Sequence, residues 1–244
     1  MLALNDQLMV TIATTRFEAA SRRLAISGKR ERDDILKFIP PMCTAICGAH
    51  NIWRQQAFFR DISIMAVTAI GAPGTLTGPA LKPLIRLQVP PLRVPPPPLP
   101  PWAPKHSLAI AAAVGEAWTE FQGMVLVPGL PWYPSFAAFP GAAAPPMPNV
   151  PWSLGSCALN RSAIVATSLK QRFARKFGHH DSMRAQLFES IAVAFERVVN
   201  QWLAAQMITN VLGHGQVPSF APPYVPVGPV VNGQITPAPP HLGA

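Results

Sequence analysis

The chain has 244 residues, 49% of them apolar and only 13% charged; Lys and Arg exceed Asp and Glu by 20 to 11, a net charge of +9. This supplies ample material for a core. Three cysteines, an odd number in a long chain, argue against a disulfide framework and for a reducing compartment at assembly.

The opening "MLALNDQLMV" lacks a basic start, a long apolar core and a small-residue cleavage site, so no secretory signal is expected. Residues 3–26 place Leu4, Leu8, Ile12, Phe17, Ala20 and Leu24 at helical spacing, with Asn5 as N-cap and Asp6 at the positive end of the dipole. "SGKRERDD" breaks that helix. Residues 33–58 are helical in pattern, with Pro40-Pro41 predicted to kink or split them, because proline lacks an amide donor. "ISIMAVTAIG" fits a buried strand or a helix end. "LIRLQVPPLRVPPPPLPPW", residues 84–102, reads as a semi-rigid polyproline linker. "SLAIAAAVGEAW" is helical and leads into "MVLV", a β-leaning run. Residues 160–176 and 182–205 make a second helical hairpin with caps at Asn160 and at Asp181 or Ser182. Leu187, Ile191, Ala194, Phe195, Val198, Val199 and Trp202 line one face of its later helix. The closing run is extended, with a short strand at "PVVNGQIT". No stretch makes a convincing transmembrane helix, since the charge-free runs are interrupted by Pro and Gly.

The order of elements repeats. Pro-Ser-Phe occurs at 134–136 and 218–220, each 16 residues after a tryptophan, Trp118 and Trp202. "ALND" at 3–6 matches "ALNR" at 158–161, and Gly78-Pro79 and Gly228-Pro229 follow Trp53 and Trp202 by 25 and 26 residues. The first and last thirds therefore read as diverged copies, and residues 106–148 as the second half of one. No Asp, Glu, Lys or Arg lies between Asp61 and Lys82, between Glu120 and Arg161, or after Arg197. Each unit is a charged helical part with a chargeless tail. The expected fold is mainly α with short strands (α+β), with duplicated helical-hairpin units joined by extended Pro-rich arms. Its parts are a helical unit at 1–83, a linker at 84–105, a half-repeat at 106–149, a helical unit at 150–213 and an extended tail at 214–244.

Candidate chemistry is sparse. Cys43, Cys47 and His50 share a helix face at i, i+4 and i+7, a spacing that suits a soft metal, but with no fourth ligand near and Cys157 remote, core packing is the favoured reading. "GHHDS" at 178–182 reads as an inter-helix turn. Ser135 and Ser219 lack the Gly-x-Ser-x-Gly turn and any charged neighbour to orient a base. No phosphate-binding Gly-rich loop and no paired-carboxylate motif is present, so no catalytic residue, cofactor, metal or small-molecule substrate is expected. The basic run "KQRFARKFGHH" offers Arg172, Arg175 and Lys176 to phosphate or to an acidic partner. A chargeless arm rich in Val and Pro would be sticky in water, so it is expected to lie along a neighbour. Trp53, Trp118, Trp202, Phe136, Phe220 and Tyr224 are its expected packing anchors.

The pieces "ALNRSAIVATSLKQRF", "LFESIAVAFERVVNQW" and "GHGQVPSFAPPYVPVGPVVNG" resemble, in composition and order, virion structural proteins of tailed bacteriophages. The resemblance implies a non-enzymatic subunit of the neck, tail or baseplate, in the virion after assembly in the host cytoplasm. Its partners would be other virion proteins and copies of itself, with no membrane. A basic nucleic-acid-binding or packaging protein is the alternative, and an enzyme built around Cys43, Cys47, His50 and Cys157 a further rival.

Overall fold

A computed structural model describes residues 3–22, 29–89, 100–137, 142–178, 182–217, 220–221, 225–226 and 230–242. The fold is α+β, as expected. Its helices are α1 (Asp6–Ser21), α2 (Lys29–Gln56), α3 (Leu81–Gln88), α4 (Ala103–Met124), α5 (Pro134–Ala137), α6 (Ala166–Phe177) and α7 (Ser182–Ala205). The larger strands are β2 (Ile62–Met65), β3 (Thr68–Gly71), β5 (Val127–Pro131), β6 (Ala143–Pro148), β9 (Leu212–Gln216) and β12 (Val231–Thr236). Short strands β1 (Phe58–Phe59) and β4 (Leu76–Thr77) pair with each other, as do β7 (Trp152–Ser153) with β8 (Met207–Ile208) and β10 (Phe220–Ala221) with β11 (Val225–Pro226).

Six helices pack in a closed ring. α1 lies between α2 and α7, α3 between α2 and α4, and α6 between α4 and α7. Short helices thus alternate with the long α2, α4 and α7. α1 starts where expected, with the Asn5 side chain accepting from the Leu8 amide at 2.9 Å. Its buried face takes Leu4 and Phe17 from the expected line, but Met9, Ala13 and Ser21 in place of Leu8, Ile12 and Ala20. Two neighbours, α2 and α7, select that face. α2 runs unbroken through Pro40-Pro41, against expectation. The amide bonds lost there are offset by burial of Phe38, Ile39, Met42 and Cys43 around them. "LIRLQ" belongs to α3 and not to a linker, because Leu81 and Ile85 bury against the helix ring. The polyproline run itself, residues 90–99, lies outside the described residues.

Each long helix leads, in chain order, to two of the six larger strands: α2 to β2 and β3, α4 to β5 and β6, α7 to β9 and β12. "ISIMAVTAIG" is thus a β-hairpin, since Ile62, Ile64, Ala69 and Gly71 alternate inward with outward Ser63, Met65, Thr68 and Ile70. The strands form an antiparallel sheet in the order β5-β3-β2-β12-β9-β6. Its two edges meet: Trp132 bridges Asn149, and the Val150 amide donates to the Pro131 carbonyl at 2.8 Å. The sheet closes into a small barrel, staggered at the seam as barrel shear requires and with edges removed.

Ile64, Trp132 and Val230 fill the barrel interior over glycines. A Cβ on Gly213 would sit 2.7 Å from both Ile64 Cδ1 and the Trp132 indole, so only glycine fits beneath them. The tail expected to extend along a neighbour is instead part of the chain's own barrel over residues 212–217 and 230–242. They form β9, β12 and a closing turn in which His241 and Leu242 are buried. A lone extended segment would leave its backbone groups and its valines in water; the barrel satisfies both. Both Pro-Ser-Phe copies lie, in chain order, between the two barrel strands of their region. The first forms α5; of the second, only Phe220 is described, at the start of β10.

Candidate functional site

The three repeated tryptophans meet where the helix ring joins the barrel. Trp53, Trp118 and Trp202 sit at the ends of α2, α4 and α7, with ring centroids 4.8, 6.1 and 6.3 Å apart. All three are buried. They tie the long helices to one another, which makes them anchors inside the chain. Phe136 is also fully buried, beside Trp132 at 6.0 Å. Tyr224 lies outside the described residues.

His50 completes this aromatic box. Its ring stands edge-to-face to Trp118 and Trp202 at 4.9 and 4.5 Å, and neither ring nitrogen has a hydrogen-bond partner among the described residues. Burial, and secondarily the nearby Arg54 guanidinium, push its pKa down to about 3. A neutral imidazole against indole faces gains weak polar-π contacts that a charged one, stripped of water, could not offset. Arg54 is itself buried; its Nη2 reaches Asn51 Oδ1 at 3.4 Å, and burial lowers its pKa.

Cys43, Cys47 and His50 do share the α2 face predicted for them, and all three are buried. Cys47 Sγ lies 3.5 Å from Met9 Sδ. No group of three His, Cys, Asp or Glu placed to hold a metal occurs among the described residues. Burial pushes the Cys47 thiol up to about 12 and Cys157 to about 11, and raises Cys43 further, so all three stay protonated and unreactive in the folded chain. Of "GHHDS", Gly178 caps α6 with φ 82° and Ser182 opens α7, consistent with a turn; residues 179–181 lie outside the described residues. Ser135 is exposed on α5, and Ser219 lies outside the described residues.

The basic run divides. Arg172 and Lys176 form ion pairs with Glu120 and Glu116, one turn apart on α4, locking α6 against it. Arg175 is exposed and has no ion pair among the described residues. Phosphate would therefore meet Arg175 free, and Arg172 and Lys176 only in competition with α4.

Two surfaces remain. Every larger barrel strand is free of charged residues, and its wall exposes Met65, Ile70 and Tyr133 at 59%, 64% and 47%. The Thr68–Pro131 and Ser63–Ile70 pairings put these residues on the neighbouring strands β2 and β3 and just beyond β5. Among the described residues, the charged side chains lie on the helix ring and its connections, apart from Arg60 and Asp61 at the barrel lip. No described helix is long and apolar enough to cross a membrane.

Sequence reasoning missed the residues that close the barrel. Asn149 accepts from the Val211 amide at 2.9 Å and donates to the Ile208 carbonyl at 3.1 Å, while Trp132 Nε1 donates to the Met147 carbonyl at 3.0 Å. Nothing local marks them, because their partners are 15 to 62 residues away. Comparison with known protein families, curated proteins and solved structures finds no match.

Proposed function

We propose that this chain is a non-enzymatic structural subunit of a large assembly, a tailed-phage particle being the assembly its sequence pattern resembles. The observation that carries this reading is the separation of a charged helix ring from a chargeless barrel whose wall exposes Met65, Ile70 and Tyr133. Uncharged, partly apolar wall is stabilised by cover from a neighbour, and its lack of charge removes the desolvation cost of docking. The contact to neighbours passes from an extended arm to this wall.

The repeat reading extends to three units. Each has a short helix, a long helix with a tryptophan near its end, and two barrel strands. The first of those strands starts at Ile62, Val127 or Leu212, which is 9, 9 or 10 residues after Trp53, Trp118 or Trp202. Strand order supports it: around the barrel, first and second strands of the three units alternate. α3 supplies the helix that the middle unit lacks when read from sequence. Such a chain is a covalent counterpart of a trimer, a form suited to axial positions in ring-shaped assemblies.

Light scattering on the eluting full chain tests the interaction surface, with the wild type compared with a Met65→Lys/Ile70→Lys double variant. The wild type should self-associate with concentration, and the variant should remain a monomer with unchanged circular dichroism. A wild type that stays monomeric at the highest attainable concentration would refute self-association through this wall.

A further inference from the structure

The barrel is unevenly closed. The strand pairs that follow α2, α4 and α7 meet one another at β3–β5, β6–β9 and β12–β2. The first two junctions hold three and four register pairs, whereas β12 and β2 share only Gly233 with Ile64 among the described residues. The strands are pinned there: a Cβ on Gly233 would stand 3.0 Å from Ile64 Cβ and 3.1 Å from the His214 carbonyl oxygen. Beside the pin, β12 bulges between Val231 and Gln234, and Asn232 turns its backbone at φ 51°. Such a bulge ends pairing and re-aims side chains.

Past the pin, β2 and β12 border a cleft of about 580 Å³ at the barrel lip. Ile62 and Ile235, both buried, give it an apolar surface. Ser63, Asn232 and Gln234 line it with exposed side chains that have no hydrogen-bond partner among the described residues. Arg60 and Asp61 pair at 3.5 Å beside them, so the lining carries no net charge. The cleft thus offers two primary amides and a hydroxyl, groups that both donate and accept, next to two apolar side chains.

We propose that this cleft binds a neutral carbohydrate of one or two sugar rings. Its volume lies within the range of small-molecule sites. Sugar hydroxyls, like the amides, donate and accept at once, and the C–H face of a ring suits Ile62 and Ile235. An ionic ligand finds no net charge to neutralise, and a wholly apolar one would strip water from the amides without replacing it. An added peptide strand is disfavoured, because β2 and β12 still run within 8 Å of each other, Cα to Cα, and an inserted strand needs roughly 9.5 Å. The inference stands without the assembly reading, which rests on Met65, Ile70 and Tyr133.

The test is saturation-transfer NMR on the full chain with lactose, maltose, cellobiose and N,N′-diacetylchitobiose as probes. At least one disaccharide should receive saturation at its ring C–H protons, with a Kd read by titration. Ser63→Ala/Gln234→Ala removes two hydrogen-bonding side chains from the cleft and should weaken that Kd roughly tenfold. Thr68→Ala, exposed on the adjacent β3, is the control and should leave it unchanged. Absence of transfer to all four sugars overturns the proposal, and so does binding that the double variant retains in full or that the control loses equally. Triglycine displacing the sugar at lower concentration than the sugar itself would assign the cleft to a peptide and overturn it as well.

Discussion

Acid should destabilise this protein well above the pH at which carboxylates protonate, and His50 should be a main cause. Its pKa is about 3 in the folded chain, against 6.5 for a free histidine. The unfolded chain therefore takes up the proton first. Stability is full above the unfolded value, falls as pH drops below it, and levels off once the folded value is passed. Between pH 7 and about pH 5 the loss amounts to about 2 kcal/mol. His241, buried against Phe59 and pushed down to about 4, adds a similar loss in the same window. Glu189 acts later: Lys170 and Arg16 lower its pKa, so its contribution is lost only as pH falls through the carboxylate range. The assay is urea denaturation at both pH values for wild type and His50→Leu. The variant's stability at pH 7 reports packing; the difference between the two pH values reports titration. His50→Leu should remove about 2 kcal/mol of the pH-dependent loss. An unchanged pH dependence would refute the assignment of a neutral, desolvated His50.

Two further substitutions probe the barrel. Asn149→Leu leaves the Val211 amide and the Ile208 carbonyl, beside β9, without their side-chain partner, and should cost about 2–5 kcal/mol in urea denaturation; a loss below about 0.5 kcal/mol would show that this tie between the end of β6 and the start of β9 adds nothing to stability. Gly213→Ala forces a methyl against Ile64 and Trp132 and should cost about 1–3 kcal/mol, with a shift in tryptophan fluorescence; an unchanged spectrum and midpoint would mean the interior is not filled as described.

Much of the local structure was legible in the sequence because it rests on short-range physics. The α7 face from Leu187 to Trp202, the Asn5 cap, the strand at "PVVNGQIT" and the turn at Gly178 follow from side-chain periodicity and capping. The separation of charged helices from chargeless runs is likewise a property of composition alone, and so is the spacing of elements after Trp53, Trp118 and Trp202. What those runs do was decided by tertiary structure. A chargeless Val- and Pro-rich segment is equally consistent with an arm on a neighbour and with a strand in its own barrel. The choice depends on whether partners for its backbone lie within the same chain, and here β9 finds one in β6, far away in sequence, and the other in β12 of the same tail. Pro40-Pro41 shows the same limit: local rules kink or split the helix there, while burial of the residues on either side carries it through as one helix. Residue types and their spacing determined which elements form and where charge lies; long-range pairing decided barrel closure and the meeting of three tryptophans around His50.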